Sequence, residues 1–310
     1  MKKLLAPILA LALLAIPASG SAATVDELAE LSGPPGQMTY GPDGNAWVLF
    51  NGAGNENLAR VKPSGQVTEF DVDNLDGGVG ITRGPGNSLW ASVNGGVVEM
   101  KVSNPENSDL HDVDALDGGA QGITNGPDER IYAASGDQFV SFPANNPNDQ
   151  DVDTIDGMSA RGVDGADGMI WVADFGGTDI VRVKPNGESF KRFNVGGGPQ
   201  QVADGPKGLI AYTNPGSDPQ TVGRIEGNAK AKKTKDDGAD PFGIAFEGGK
   251  WWIGQFNKPG KIATLSPSGD LRQFDGGLPN DAKTRYLAAG GGMVFVGIEN
   301  RDEVAIMKGV

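Results

Sequence analysis

The chain has 310 residues, with 40 acidic against 26 basic side chains for a formal charge of −14, no cysteine and a single histidine. Such acidity opposes binding to nucleic acid or anionic lipid. The missing cysteine excludes disulfides, thiolate metal sites, a cysteine nucleophile and a lipidated anchor, and one histidine excludes an imidazole cluster for zinc or copper.

The N-terminus reads Met1-Lys2-Lys3, then the apolar LLAPILALALLAIPA, then the small-residue stretch SGSAA. This three-part pattern is that of a secretory signal peptide, with cleavage expected near Ala23 and a secreted or extracytoplasmic product. Pro7 and Pro17 bracket an apolar core too short for a spanning helix, so no membrane insertion is expected. Cleavage removes two lysines and no acid, which moves the formal charge from −14 to −16. Residues 24–310 are then expected to form one domain.

After an alternating segment, TVDELAEL (Thr24–Leu31), one unit recurs to the C-terminus. Its first half is a short apolar strand, a Gly-Pro-Asp-Gly-like turn and an aromatic strand: QMTYGPDGNAWVLFN, GITRGPGNSLWASVN, GITNGPDERIYAASG and GVDGADGMIWVADFG, with weaker copies in QVADGPKGLIAYTN, GIAFEGGKWWIGQF and YLAAGGGMVFVGIE. Anchored on Trp47, Trp90, Tyr132, Trp171, Ile210, Trp252 and Phe295, the intervals are 43, 42, 39, 39, 42 and 43 residues. Seven units of that length, each with room for four short strands, predict an all-β, seven-bladed propeller of four-stranded antiparallel blades. In the first unit the strands are expected near Gln37–Tyr40, Ala46–Phe50, Leu58–Val61 and Val67–Val72. Alternation puts the aromatic anchors on blade faces, as packing between twisted sheets.

The aspartate-rich words DVDNLDGG (Asp71–Gly78), DVDALDGG (Asp112–Gly119) and DVDTIDGM (Asp151–Met158) fall between an outer strand and the next inner strand. Their D-x-D-x-x-D-G spacing departs from the EF-hand loop, which has a third oxygen ligand at its fifth position and a glutamate at its twelfth. Asp71 and Asp73 are expected to point outward. Asp76, Asp117 and Asp156, with Asp240 in GADPFG, approach the channel and are the candidate ligands for Mg²⁺ or Ca²⁺. His111 falls on an outer strand and reads as a surface residue; Lys230–Lys235 (KAKKTK) reads as lysine protection of an outer edge.

The last unit ends in EVAIMKGV and lacks a fourth strand. Thr24–Leu31 matches the pattern of QVTEFDVD, with Val25 at Val67 and Leu28 at Phe70, and is predicted to supply that strand. This removes an open edge.

In such a ring the inner strands begin, and the second strands end, at one mouth of the central channel. The first set contributes Gln121, Arg161, Gln200, Phe242 and Arg285; the second contributes Asp174, Gln255 and Glu299. A repeat needs no such residues to fold, so this mouth is the candidate binding site for a small molecule, peptide or glycan. A monomer is expected.

The segments GPDGNAWVLFN with LARVKPSGQVTEF, DGMIWVADFGGTDIVRVKPNGESFKRF and FGIAFEGGKWWIGQFNKPGKIATLSPSGDLRQF resemble the streptogramin B lyase (virginiamycin B lyase) family. The resemblance runs over residues 24–310 and implies a seven-bladed propeller. It further implies elimination chemistry that opens depsipeptide antibiotic rings with magnesium, using histidines directly after the proline that opens two late inner strands. In this chain those places read GPQQVA and DPFGIA, so Gln200 and Phe242 occupy them. Asp240 stands for a glutamate before the second proline, while GQFN offers no carboxylate at the end of the next strand. Elimination needs a base for the α-proton and an acid for the leaving oxygen, and neither glutamine nor phenylalanine exchanges a proton. The expectation is therefore an exported lyase-like propeller that binds a ligand without the usual lyase residues. The alternative is a lyase or lactone hydrolase acting on cyclic depsipeptides or lactones through a rearranged, metal-assisted site.

Overall fold

Each repeat folds into a four-stranded antiparallel sheet, and the first copy shows why. Its strands are Pro35–Tyr40, Ala46–Phe50, Leu58–Val61 and Val67–Phe70, paired in that order. The turn between the first two closes through Gly41 N–H donating to Asn45 O at 2.8 Å. Below it the Trp47 ring is fully buried, its Nε1 donating to Asp43 Oδ1 at 3.0 Å. A Cβ on Gly41 would lie 2.5 Å from that ring; the equivalents are 2.3 Å for Gly84 against Trp90 and 2.2 Å for Gly126 against Tyr132. The glycine of the Gly-Pro turn is thus a seat for the aromatic ring of the next strand. All seven anchors, Ile210 and Phe295 included, are at most 1% exposed.

The computed structural model describes residues 23–52, 56–116, 121–185, 187, 189–236 and 238–310. Residues 1–22 of the expected signal peptide, and Asp117, lie outside the described residues. Seven four-stranded sheets form a ring, and consecutive inner strands adjoin around it, the seventh meeting the first. Among the described residues no helix is long and apolar enough to cross a membrane.

The fourth strand of blade 7 is Val25–Glu30, which pairs antiparallel with Glu303–Lys308 as predicted. A register shift falls between Val25 and Glu27, and beyond it Ala29 is buried at 1% while Leu28 is 43% exposed. A one-residue slip exchanges the two faces of a strand.

The aspartate words join blades through their aliphatic residues. Val72 and Leu75, Val113 and Leu116, and Ile155 are buried between sheets, whereas Asp71 and Asp73 are exposed. The third copy departs from the first two: Asp151–Thr154 is an outer strand, and Val152 is 50% exposed. His111 is half-buried rather than superficial, stacked on Trp90 with ring centroids 5.5 Å apart. Lys232–Lys235 is the outer strand of blade 5, as the lysine run suggested.

Candidate functional site

The two arginines of the mouth stand in distorted backbone. Ladder pairing shifts register between Ala160 and Val163, between Pro241 and Ile244, and between Thr284 and Leu287. Arg161, Phe242, Arg285 and Tyr286 lie inside these irregularities. Bulges of this kind bend a strand and re-aim its side chains. Blades 2, 3 and 5 pair regularly over their inner strands and present Gln121 and Gln200 at the same level.

Arg285 is the hub. Its guanidinium lies 4.3 Å from the Phe242 ring centroid, 5.4 Å from Tyr286 and 5.5 Å from Phe256, and its Nη1 donates to Glu299 Oε2 at 2.5 Å. Its Nε is sealed from solvent without a hydrogen-bond partner. Phe242 and Tyr286 meet edge to face at 5.1 Å. Arg161 covers the exposed Phe175 ring at 4.4 Å and has no carboxylate partner among the described residues. Burial raises the Tyr286 phenol above its ordinary pKa, and the charges of both Arg285 and Arg161 oppose that rise. Blades 4 and 7 therefore both act on one phenol. Asp240 joins them: burial raises its carboxyl, with Arg285 countering.

The structure thus gathers Arg161, Arg285, Phe242, Glu299 and Asp240. It employs Asp174 and Gln255 differently. Asp174 is 1% exposed, accepts from Ser159 N–H at 2.7 Å and pairs with Arg192 at 2.9 Å. Gln255 is wholly buried and donates to both oxygens of Asp236 at 2.8 and 2.9 Å. Both residues tie the end of a second strand to the segment entering the same blade. Gln200 is 2% exposed, and its carbonyl accepts from Gly162 N–H at 3.1 Å. Gln121 is half-buried and donates its N–H to Ala134 O at 3.0 Å.

Of the candidate cation ligands, the described ones, Asp76, Asp156 and Asp240, are not brought together. Asp76 is exposed in blade 1, accepting from Asn57 Nδ2 at 3.1 Å, and Asp156 is exposed beside Arg192, to which its carbonyl is bonded. Asp240 has Arg285 for its charged neighbour. Among the described residues no three carboxylate or imidazole groups gather as a metal would need. A divalent ion takes six or more oxygens, several of them anionic, so this donor set does not fit Mg²⁺ or Ca²⁺.

A second concavity was not foreseen. A cavity of about 540 Å³ occupies the channel, from Gln37, Gln201 and Tyr286 at its inner end to Tyr40, Arg83, Phe246 and Gly291 at the far ends of the inner strands. None of the residues expected at the first mouth lines it. Asp164 and Asp204, from neighbouring blades, both face it. Asp164 accepts from Gly165 N–H and Asp204 N–H, each at 2.8 Å, and from Thr124 Oγ1 at 3.3 Å. Surrounding protein pushes its carboxyl up to about 7, helped by the charge of Asp204 and opposed by these bonds. Asp204, open to the channel but walled by protein, is also raised by burial. The available signal was register: the aspartates in GVDG and VADG pair with their blades' anchors, where the other five blades carry Thr or Ala.

A ring of seven four-stranded blades, with charged and aromatic side chains at one mouth and an acidic channel behind it, makes the chain a seven-bladed β-propeller. In fold it is similar to virginiamycin B lyase from Staphylococcus aureus (TM-score 0.79, 16% identity, covering 91% of this chain and 98% of that one). It is likewise similar to a streptogramin B lyase (0.78, 17%, 91% and 96%) and to a catalytically inactive variant of the Staphylococcus aureus enzyme with quinupristin (0.77, 16%, 91% and 99%). No protein-family model and no curated protein matches the sequence. At these identities the likeness is one of fold, and a fold carries many chemistries.

Proposed function

We propose that this chain is an exported, streptogramin-lyase-like propeller that binds a small molecule, peptide or glycan bearing an anionic group at the mouth of Arg161 and Arg285, without the family's usual elimination chemistry. The observation that carries this reading is the pair of arginines set on bulged strands around Tyr286: Arg161 lacks a carboxylate partner among the described residues, and Arg285 gives Nη1 to Glu299 while its guanidinium lies against Phe242, Phe256 and Tyr286. Guanidinium N–H groups held against aromatic faces are preorganised for a carboxylate, sulfate or phosphate, while the rings cover apolar parts of the ligand. Gln200 and Phe242, standing where the resemblance places histidines, supply neither a base nor an acid. The leader sequence supports export.

The test is a thermal-shift and calorimetric screen of acidic short peptides, acidic oligosaccharides and a streptogramin B, with products followed by mass spectrometry. Stabilisation of the wild type by an anionic compound, lost in the Arg161→Ala, Arg285→Ala double variant, is the expected result. Equal binding by that variant removes this site. Ring opening of the streptogramin or of a lactone, dependent on Mg²⁺ or Ca²⁺, overturns the non-lyase reading in favour of the metal-assisted enzyme.

A further inference from the structure

The cavity at the other end of the channel has a chemistry opposite to that of the mouth. Its volume of about 540 Å³ lies within the roughly 300–1,000 Å³ usual for small-molecule sites. The Asp204 carboxylate has neither a hydrogen-bond nor an ion-pair partner among the described residues, although Asp164 beside it is well bonded. Asn125, on the same wall, turns its Oδ1 away from the open cavity, whereas Asp204 is exposed to the channel, where a ligand's donors can reach it. The aromatic rings of Tyr40 and Phe246 stand among the remaining lining, and the one cation in it, Arg83, is exposed.

From this geometry we propose that the far end of the channel is a second ligand site, taking a small organic cation with an apolar body, such as an arylalkyl amine. Asp204 and Asp164 receive the ammonium, and Phe246 and Tyr40 cover the apolar part. An ammonium presents three donors and a positive charge, which suits a pair of carboxylates. A bare divalent metal does not match, because two carboxylates leave most of its coordination unfilled. The aromatic faces favour a cation as well as an apolar surface. Its charged groups are separate from those of the mouth, since neither Arg161 nor Arg285 lines it, although Tyr286 borders both.

The proposal predicts a proton count. Asp164 and Asp204 hold protons more tightly than ordinary carboxylates, and a cation that pairs with them displaces a proton near neutral pH. The charged group facing them in the cavity, Arg83, favours the ionised carboxylates and so reduces that release.

The experiment is calorimetric titration of the folded chain at pH 7 with benzylamine and with its neutral isostere benzyl alcohol, in two buffers of different ionisation enthalpy. The amine is expected to bind at least about tenfold more tightly than the alcohol, with net proton release, as for a charge-assisted pair inside a pocket. Asp204→Asn is expected to weaken the amine by about tenfold or more without lowering the unfolding midpoint, because its carboxylate makes no internal bond and its charge opposes that of Asp164. The Arg161→Ala, Arg285→Ala variant should bind benzylamine as the wild type does, which separates this site from the mouth. No binding of benzylamine at millimolar concentration, equal affinity for the alcohol, or an unaffected Asp204→Asn variant would each overturn the proposal. So would Ca²⁺ that saturates the protein and displaces the amine in an Asp204-dependent way.

Discussion

Asp164 couples the channel to stability. Its carboxyl titrates near 7 in the folded chain, against about 4 for an unfolded one. Between those values the folded state holds more protons than the unfolded, so stability falls as pH rises through that window, and the penalty persists above it. Asp164→Asn removes the titration. Thermal melts of the wild type are expected to lose stability between pH 5 and 8, with that loss smaller by about 2–4 °C in the variant. Identical pH profiles would show that Asp164 does not titrate as described. Residue by residue, the sequence was most informative where periodicity applied: Trp47, Trp90, Tyr132, Trp171, Trp252 and Phe295 recur at a fixed interval and are all core. Arg161 and Arg285 were visible as departures from their repeats. Asp164 and Asp204 were equally irregular, but their significance depends on two neighbouring blades facing one cavity. A single repeat cannot show that.

Strands were legible almost to the residue in the first blade, where the inner strand begins at Pro35 instead of Gln37 and the outer strand ends at Phe70 instead of Val72. Hydrophobic alternation between turn residues specifies such elements well. The bulges at Arg161, Phe242 and Arg285 were not legible, because an extra residue in a ladder has no composition of its own. The register shift between Val25 and Glu27 was equally invisible, although the pairing of that strand was foreseen. Element-level predictions follow. Deleting residues 24–31 strips the partner from Glu303–Lys308 and uncovers a strand edge, and should lower the unfolding midpoint by about 10 °C or more with aggregation on heating. Ala29→Asp places a charge among Val48, Val304 and Ile306 and should reproduce most of that loss, whereas Leu28→Asp should cost less than about 0.5 kcal/mol. Similar losses for the two substitutions would contradict the observed register.

Across the whole molecule, the ring is drawn tight by glycines one residue past the mouth. A Cβ on Gly122 would stand 2.3 Å from Arg161 O, and one on Gly243 would stand 2.4 Å from Arg285 O. Neighbouring inner strands touch through these positions, and the carbonyls they touch belong to the two mouth arginines. Gly122→Ala should therefore destabilise by more than about 2 kcal/mol in denaturant titrations. It should also weaken mouth binding in whatever fraction stays folded, since Arg161 must move; unchanged stability would mean the blades are looser than this. The seven-fold architecture was legible because a repeat declares its own count. The partition of the channel into a basic, aromatic mouth and an acidic far chamber was not, since it arises only when all seven inner strands stand side by side.

The pairing of Val25–Glu30 with Glu303–Lys308 also sets an order of events. The strand made first cannot find its place until the strand made last exists, so no truncated chain can complete the circle. Until then two sheet edges wait open, one of them on a segment carrying Asp26, Glu27 and Glu30. Like charges discourage that segment from pairing with its counterpart on a second copy, while it remains free to meet its own C-terminus. Assembly is thus a clasp fastened at the end of synthesis, and a chain kept unfolded until its last residue is released loses nothing by waiting.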